Sequence, residues 1–127
     1  MTTVVDASAV IDLLLGQLSE PGLGAFDAEL VAPELLPIEV TAAVAKLCRR
    51  NAIDLRDAQV LLDAFEELSI ELLTVRHLMT EVLALSDRLS VYDACYVALA
   101  ASEGAVVVTT DGRLGRAHDL PVDVIVL

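Results

Sequence analysis

Aromatic side chains are scarce in this chain, at 3 % of its 127 residues, while 56 % of the residues are hydrophobic. A core must therefore be assembled from Leu, Val, Ile and Ala rather than from large rings, and that richness excludes a disordered chain. Long apolar runs are missing too. The longest stretch free of Asp, Glu, Lys and Arg is Ala94 to Ser102, nine residues, where a membrane-spanning helix needs about 20. A soluble protein without a membrane partner is expected. The opening Met1-Thr2-Thr3-Val4-Val5-Asp6 lacks the basic start and apolar segment of a secretory signal, so the expected location is cytoplasmic. Only two cysteines occur, Cys48 and Cys95, with no CxxC pair and no His at zinc-ligand spacing; both read as small buried hydrophobes rather than structural-zinc ligands. Positive charge is the last shortage. One lysine, Lys46, and seven arginines stand against 20 acids, for a net charge of −12. Phosphate binding normally draws on a basic surface, so this balance opposes a nucleic-acid function.

What is present reads as alternating strands and helices in one domain, residues 1–127. Thr2 to Val5 is β-branched and predicts a short buried strand, followed by a helix over Ala7 to Leu15 that stops at Gly16. Gln17 to Asp27, with Pro21, Gly22 and Gly24, predicts a loop or broken helix, and Leu30 to Ala32 a second strand ended by Pro33. Val40, Val44 and Leu47 mark a helix from Leu36 to about Arg50 with a basic end, and Asp54 is a candidate N-cap for the next one. Ile70 to Val75 predicts a third strand and His77 to Leu89 a helix. Asp93 then precedes an almost wholly apolar helix, Ala94 to Glu103, ended by Gly104. Valine-rich Ala105 to Thr110 is a buried strand, Leu114 to His118 a helical turn and Val122 to Leu127 the last strand. The pattern predicts a three-layer α/β/α sandwich with a central, mostly parallel sheet of about five strands.

In such sheets function collects at the carboxyl ends of the strands. Asp6 and Asp111 each follow a strand directly, Glu39 lies in the first turn of a helix after the second strand, and Asp93 sits where the apolar helix begins. Each has a structural explanation when taken singly. Asp111 in Thr-Asp-Gly suits a turn, and Asp93 and Glu39 suit a helix cap and a favourable first-turn charge. Asp6 fits such explanations least, because an acid at the inner end of a buried strand is costly unless paired or ligated. Together, four carboxylates at one edge repel unless a divalent cation offsets their charge, and hard oxygen donors suit Mg²⁺ or Mn²⁺. The reaction class such a site implies is phosphodiester hydrolysis without a His or Ser nucleophile. Asp6, Asp93 and Asp111 are the leading ligand candidates, with Glu39 acting through water or a second metal. An aspartyl phosphatase would need a second Asp where Ser8 stands, and a phosphoacceptor receiver domain wants a lysine after a late strand, where there is none.

These residues resemble a known family, the PIN-domain ribonucleases, and within it the VapC-type toxins of toxin–antitoxin pairs, almost end to end. Val4-Val5-Asp6-Ala7-Ser8-Ala9 resembles the first motif, and Pro37-Ile38-Glu39-Val40 the second acid. Tyr92-Asp93-Ala94-Cys95-Tyr96-Val97-Ala98-Leu99-Ala100 is similar to the most recognisable stretch, and Val108-Thr109-Thr110-Asp111-Gly112-Arg113-Leu114 to the last motif. One position departs: many relatives carry Asn three residues beyond the second acid, where this chain has Ala42. The resemblance implies Mg²⁺- or Mn²⁺-dependent endonucleolytic cleavage of RNA, with Asp6, Glu39, Asp93 and Asp111 as metal ligands, Ser8 supporting Asp6, and Thr109 as hydroxyl companion of Asp111. It implies a homodimer, a heterotetramer or larger assembly with a cognate VapB-type antitoxin, and an antitoxin segment that lays a basic residue into the acidic pocket. The acidic surface suits such a partner, since complementary charge steers association. Arg113 and Arg116, beside Asp111, are the candidate RNA contacts, with solvated surface as their alternative. His77 and His118 fall outside the motifs, and Tyr92 and Tyr96 are expected to pack in the core or a dimer face. The rival reading is a catalytically silent PIN-like module that binds RNA or protein.

Overall fold

A computed structural model describes all 127 residues. Five strands, β1 (Thr2–Val5), β2 (Glu29–Pro33), β3 (Ile70–Leu73), β4 (Val106–Thr109) and β5 (Val124–Val126), form one sheet in the order β3-β2-β1-β4-β5. Every neighbouring pair is parallel. Seven helices connect them: α1 (Ala7–Leu14), α2 (Glu20–Gly24), α3 (Leu36–Arg49), α4 (Leu55–Glu66), α5 (Met79–Leu85), α6 (Val91–Glu103) and α7 (Gly112–Gly115). Helix α6 lies on β1, β2 and β4 with α5 beside it, while α1, α3 and α4 pack against one another. Val4 and Val5 point to opposite faces of the central strand, and both are fully buried, so helices cover both sides of the sheet. The expected three-layer α/β/α architecture is what the chain adopts. No helix is long and apolar enough to cross a membrane.

The burial of α6 follows directly from its composition. Ala94 through Ala100 are all buried, and an element without a polar stripe has no face to offer water. Gly104 ends it in the left-handed conformation, φ 63°, where a Cβ would be strained. Helix α4 starts on the expected cap: Asp54 accepts from Asp57 N at 2.8 Å while Asp57 returns the bond to Asp54 N.

Several boundaries differ from the sequence expectation. Pro33 closes β2 from within rather than ending it from outside, because Glu34 N carries the next bond to Leu73 O. β3 stops at Leu73. Helix α5 is only seven residues, following a 3₁₀ turn at Arg76–Leu78 and ending where the Ser86 hydroxyl bonds back to Leu83 O at 2.6 Å. Helix α6 begins at Val91, two residues before Asp93. Ser90 supplies the cap by accepting from Asp93 N at 3.1 Å.

Candidate active site at the carboxyl edge of the sheet

β1 is the centre of the sheet, and the chain runs outward from it in both directions, so the crevice beyond the carboxyl ends of β1 and β4 is the topological switch point. Val5 pairs with Val108, and Asp6 N extends the ladder by donating to Val108 O at 3.2 Å. This register sets Asp6 beside Thr109. The Asp6 carboxylate, 6 % exposed, receives three donors: Ser8 Oγ at 2.7 Å, the N–H of Ala9 at 3.0 Å, and the Thr109 hydroxyl on its other oxygen. Ser8 Oγ in turn accepts from Thr110 N at 3.0 Å, and Thr109 Oγ1 from Asp111 N at 2.9 Å. Asp6 is thus the N-cap of α1 and the clasp between β1 and β4. This supplies the pairing that a buried acid requires, without a ligand. One of roughly four lone-pair positions on a carboxylate stays open. Burial nevertheless raises the Asp6 pKa, opposed by those three hydrogen bonds, with the Asp93 charge adding to the rise.

Glu39 sits in the first turn of α3, half-buried, and its Oε1 accepts from the Tyr96 hydroxyl at 2.6 Å. Its pKa is raised by burial first, lowered by the Tyr96 bond, and raised again by Asp93 and Asp6. Burial pushes the Tyr96 hydroxyl far above its ordinary value, helped by the Glu39 carboxylate, so it keeps its proton and remains a donor. Asp93, in the first turn of α6, is also raised by burial and by the Asp111 charge; the Ser90 bond and the Arg113 charge oppose this. Ser90 thus caps α6 through the Asp93 N–H and also favours the ionised Asp93 carboxylate.

Asp111 behaves differently. It caps α7, and Arg113 grips it with its backbone N–H at 2.9 Å, Nε at 3.3 Å and a terminal nitrogen at 3.1 Å. That fork holds its carboxyl below the usual range. Arg116 folds back over Gly112, where a side chain would meet its guanidinium, and adds to the same lowering. No cation offsets Asp6 or Glu39, which both feel the Asp93 charge; Asp93 is offset in part by Arg113, and Asp111 is joined to the group through Asp93 and paired with the same arginine. No three His, Cys, Asp or Glu side chains are arranged to hold a common ion.

A shallow cleft of about 270 Å³ opens beside Asp93, lined by Arg88, Leu89, Ser90, Asp93, Arg113 and Leu114. Thr109 was expected to accompany Asp111; its hydroxyl is committed to Asp6, and it serves Asp111 only by accepting its N–H. Sequence reasoning passed over Tyr96 and Arg88. Tyr96 is buried as expected of a core residue, but its hydroxyl reaches the site; the available signal was its place three residues after Asp93, on the same helix face. Arg88 carried no signal: it stands four residues before the Tyr92–Ala100 stretch but belongs to no motif. His77 and His118 are exposed and take no part in these contacts, and Tyr92 lies outside the core, exposed on the single chain. Cys95 is buried, whereas Cys48 is half-buried with its thiol 3.8 Å from Asp54 O.

Residues 3–120 match the PIN domain family. The chain belongs to the PIN-domain family. This PIN domain is 34 % identical to ribonuclease VapC1 of Mycobacterium tuberculosis over 125 residues, covering 95 % of this chain and 94 % of that one. It is 32 % identical to VapC ribonuclease Mb0985 of Mycobacterium bovis over 111 residues, 87 % of each chain. Among solved structures it resembles PAE2754 from Pyrobaculum aerophilum, with a TM-score of 0.69, 26 % identity and coverage of 91 % and 83 %. The fold is also that of VapBC2 from Rickettsia felis bound to a DNA fragment from their promoter, with a TM-score of 0.68, 14 % identity and 98 % coverage of both chains.

Proposed function

We propose that this PIN domain, residues 1–127, is a divalent-metal-dependent endoribonuclease that acts as the toxin of a toxin–antitoxin pair. One observation carries the reading: Asp6, Glu39 and Asp93 crowd the switch point with raised pKa values, and the one cation that offsets any of them, Arg113, reaches only Asp93. Added positive charge would favour the anionic form of all three acids. The relatives named as VapC ribonucleases support the same conclusion.

The donor set fits a hard cation. Mg²⁺ takes one or two carboxylates and keeps several waters, so the lack of a ready three-acid cage is no obstacle. Asp6 and Asp93 would hold the ion directly, Glu39 through water, and Asp111 once released from Arg113. When bound, the ion neutralises these acids, favours attack by water on the phosphodiester and stabilises the leaving oxygen. Ser8 and Thr109 keep Asp6 ionised and aimed, since both hydroxyls donate to it. Arg113 and Arg88 line the cleft and, with Arg116 beside Asp111, supply local positive charge for positioning RNA phosphates.

A net charge of −12 makes free RNA a poor match for most of the surface and a basic protein a good one. The antitoxin is accordingly a VapB-type protein whose basic residue enters the acidic pocket, on a homodimeric toxin in the cytoplasm. The test is cleavage of RNA by protein freed of antitoxin. Mn²⁺-dependent cutting, lost when the ion is chelated and abolished in Asp93→Asn, is the expected result. Intact RNA at every Mn²⁺ concentration favours the silent binding module and overturns the enzyme.

A further inference from the structure

The contact between Tyr96 and Glu39 joins two elements that otherwise serve different layers. Tyr96 lies in α6, 1 % exposed, and its hydroxyl donates to Glu39 Oε1 at 2.6 Å across to α3. A buried phenol needs a partner for its O–H, and a carbonyl or a water-reaching orientation would serve. Here the partner is instead a half-buried acid already repelled by Asp6 and Asp93, a costly acceptor to keep in a core unless its placement is itself useful.

Nothing else fixes that acid. Tyr96 makes the one side-chain hydrogen bond that Glu39 has, and the first turn of α3 carries no side-chain cap, since Leu35 occupies that position. Helix α6 therefore does two things at one edge: it presents Asp93 and, one turn on, holds the acid of another helix toward it.

We infer that Tyr96 is a positioning residue of the nuclease site, its hydroxyl fixing the Glu39 carboxylate so that Glu39 faces, through water, a divalent cation held by Asp6 and Asp93. This rests on the metal-dependent reading above. Tyr96 touches neither substrate nor ion; it acts through Glu39.

The experiment measures Mn²⁺ binding by calorimetry on RNA-free protein for wild type, Tyr96→Phe, Glu39→Gln and the double variant. The Mn²⁺ concentration for half-maximal RNA cleavage and a metal-free urea melt are recorded alongside. Phe keeps the ring in the core and removes only the hydroxyl. Loss of an outer partner of a ligand typically weakens metal affinity about 10–100-fold, so Tyr96→Phe should weaken binding at least tenfold and shift the half-maximal Mn²⁺ by the same factor. Cleavage at saturating Mn²⁺ should fall much less. In the Glu39→Gln background, adding Tyr96→Phe should change nothing further. Glu39→Asp, one methylene shorter, probes the contact without touching the core and should lose the same affinity. Wild-type affinity in Tyr96→Phe or in Glu39→Asp overturns the inference, as do multiplying losses in the double variant. Wild-type protein that binds no Mn²⁺ is a different result, which overturns the nuclease reading and this inference with it.

Discussion

Thr109 and Asp6 stand 103 residues apart in sequence and meet as neighbours across β1 and β4, the Thr109 hydroxyl donating to Asp6 Oδ2 while accepting Asp111 N. One oxygen thus links the buried acid to the turn that carries another acid. Thr109→Val keeps the shape and deletes both bonds, leaving the Asp6 carboxylate short of a donor and the Asp111 N–H without its partner. Stability should fall by about 1–3 kcal/mol. Urea unfolding at pH 7 checks this, with Thr109→Ser as the hydroxyl-retaining control; a Val variant as stable as wild type would show that the hydroxyl carries no load.

Arg113 grips Asp111 from a position 85 % exposed, so the pair is a screened surface contact and adds little to stability. Its consequences are electrostatic. In Arg113→Ala the Asp111 carboxyl should move up toward the ordinary aspartate value, which carbon-detected NMR titration reads directly. If Arg113 also contacts a phosphate, the variant should lose RNA affinity, and the slope of log affinity against log salt should shrink by about one. An unchanged salt slope would confine Arg113 to its role on Asp111.

How far the sequence alone reaches is visible in these residues. The continuous apolar run of α6 and the valines of β4 announce burial on all sides, and the motif around Asp6 announces its hydroxyl companion Ser8, because these signals are local. Strand order is not local, so nothing in the chain says that β1 and β4 are adjacent and that Thr109 belongs to Asp6. Tyr96 reads as core because its ring is core; only the tertiary placement of α3 reveals where its hydroxyl goes. Arg88 enters the cleft through packing of the turns after α5, which no periodicity encodes. The α5 boundary was missed for a chemical reason, since Ser86 competes for the carbonyl of Leu83.

The raised pKa values of Asp6, Glu39 and Asp93 predict a pH dependence with a definite sign. Between the ordinary carboxylate range and the raised folded values, the folded state binds more protons than the unfolded chain. Stability from these three groups is therefore fully present at low pH and lost as pH rises through their folded pKa values; Asp111, lowered, works in the opposite sense at more acidic pH. Mn²⁺ should reverse the loss, stabilising by about 2.7 kcal/mol at a hundredfold excess over Kd. Thermal melts with and without Mn²⁺ should diverge at neutral pH and converge as the pH falls below the folded pKa values of these acids. A Mn²⁺ increment independent of pH would mean that the ion binds elsewhere.

Asp93→Asn and Asp6→Ala should both remove cleavage, by at least about a hundredfold, yet move stability in opposite directions. Asp93 owes its raised pKa first to burial and then to the Asp111 charge, and Ser90 rather than its own side chain caps α6. Neutralising it relieves the dominant desolvation and the Asp111 repulsion, at the smaller cost of the Ser90 bond, the Arg113 attraction and a favourable helix-terminus charge, so the metal-free protein should unfold at higher urea. Asp6 is the reverse case. Removing its carboxylate deletes the cap of α1 and the acceptor of both the Ser8 and Thr109 hydroxyls, which are left with each other at 3.0 Å, a loss of about 1–3 kcal/mol. An acid kept only for chemistry is a burden to the fold, whereas one that also clasps two strands is not. Urea melts of the two variants without metal separate the cases, and a destabilised Asp93→Asn would place Asp93 among the structural acids.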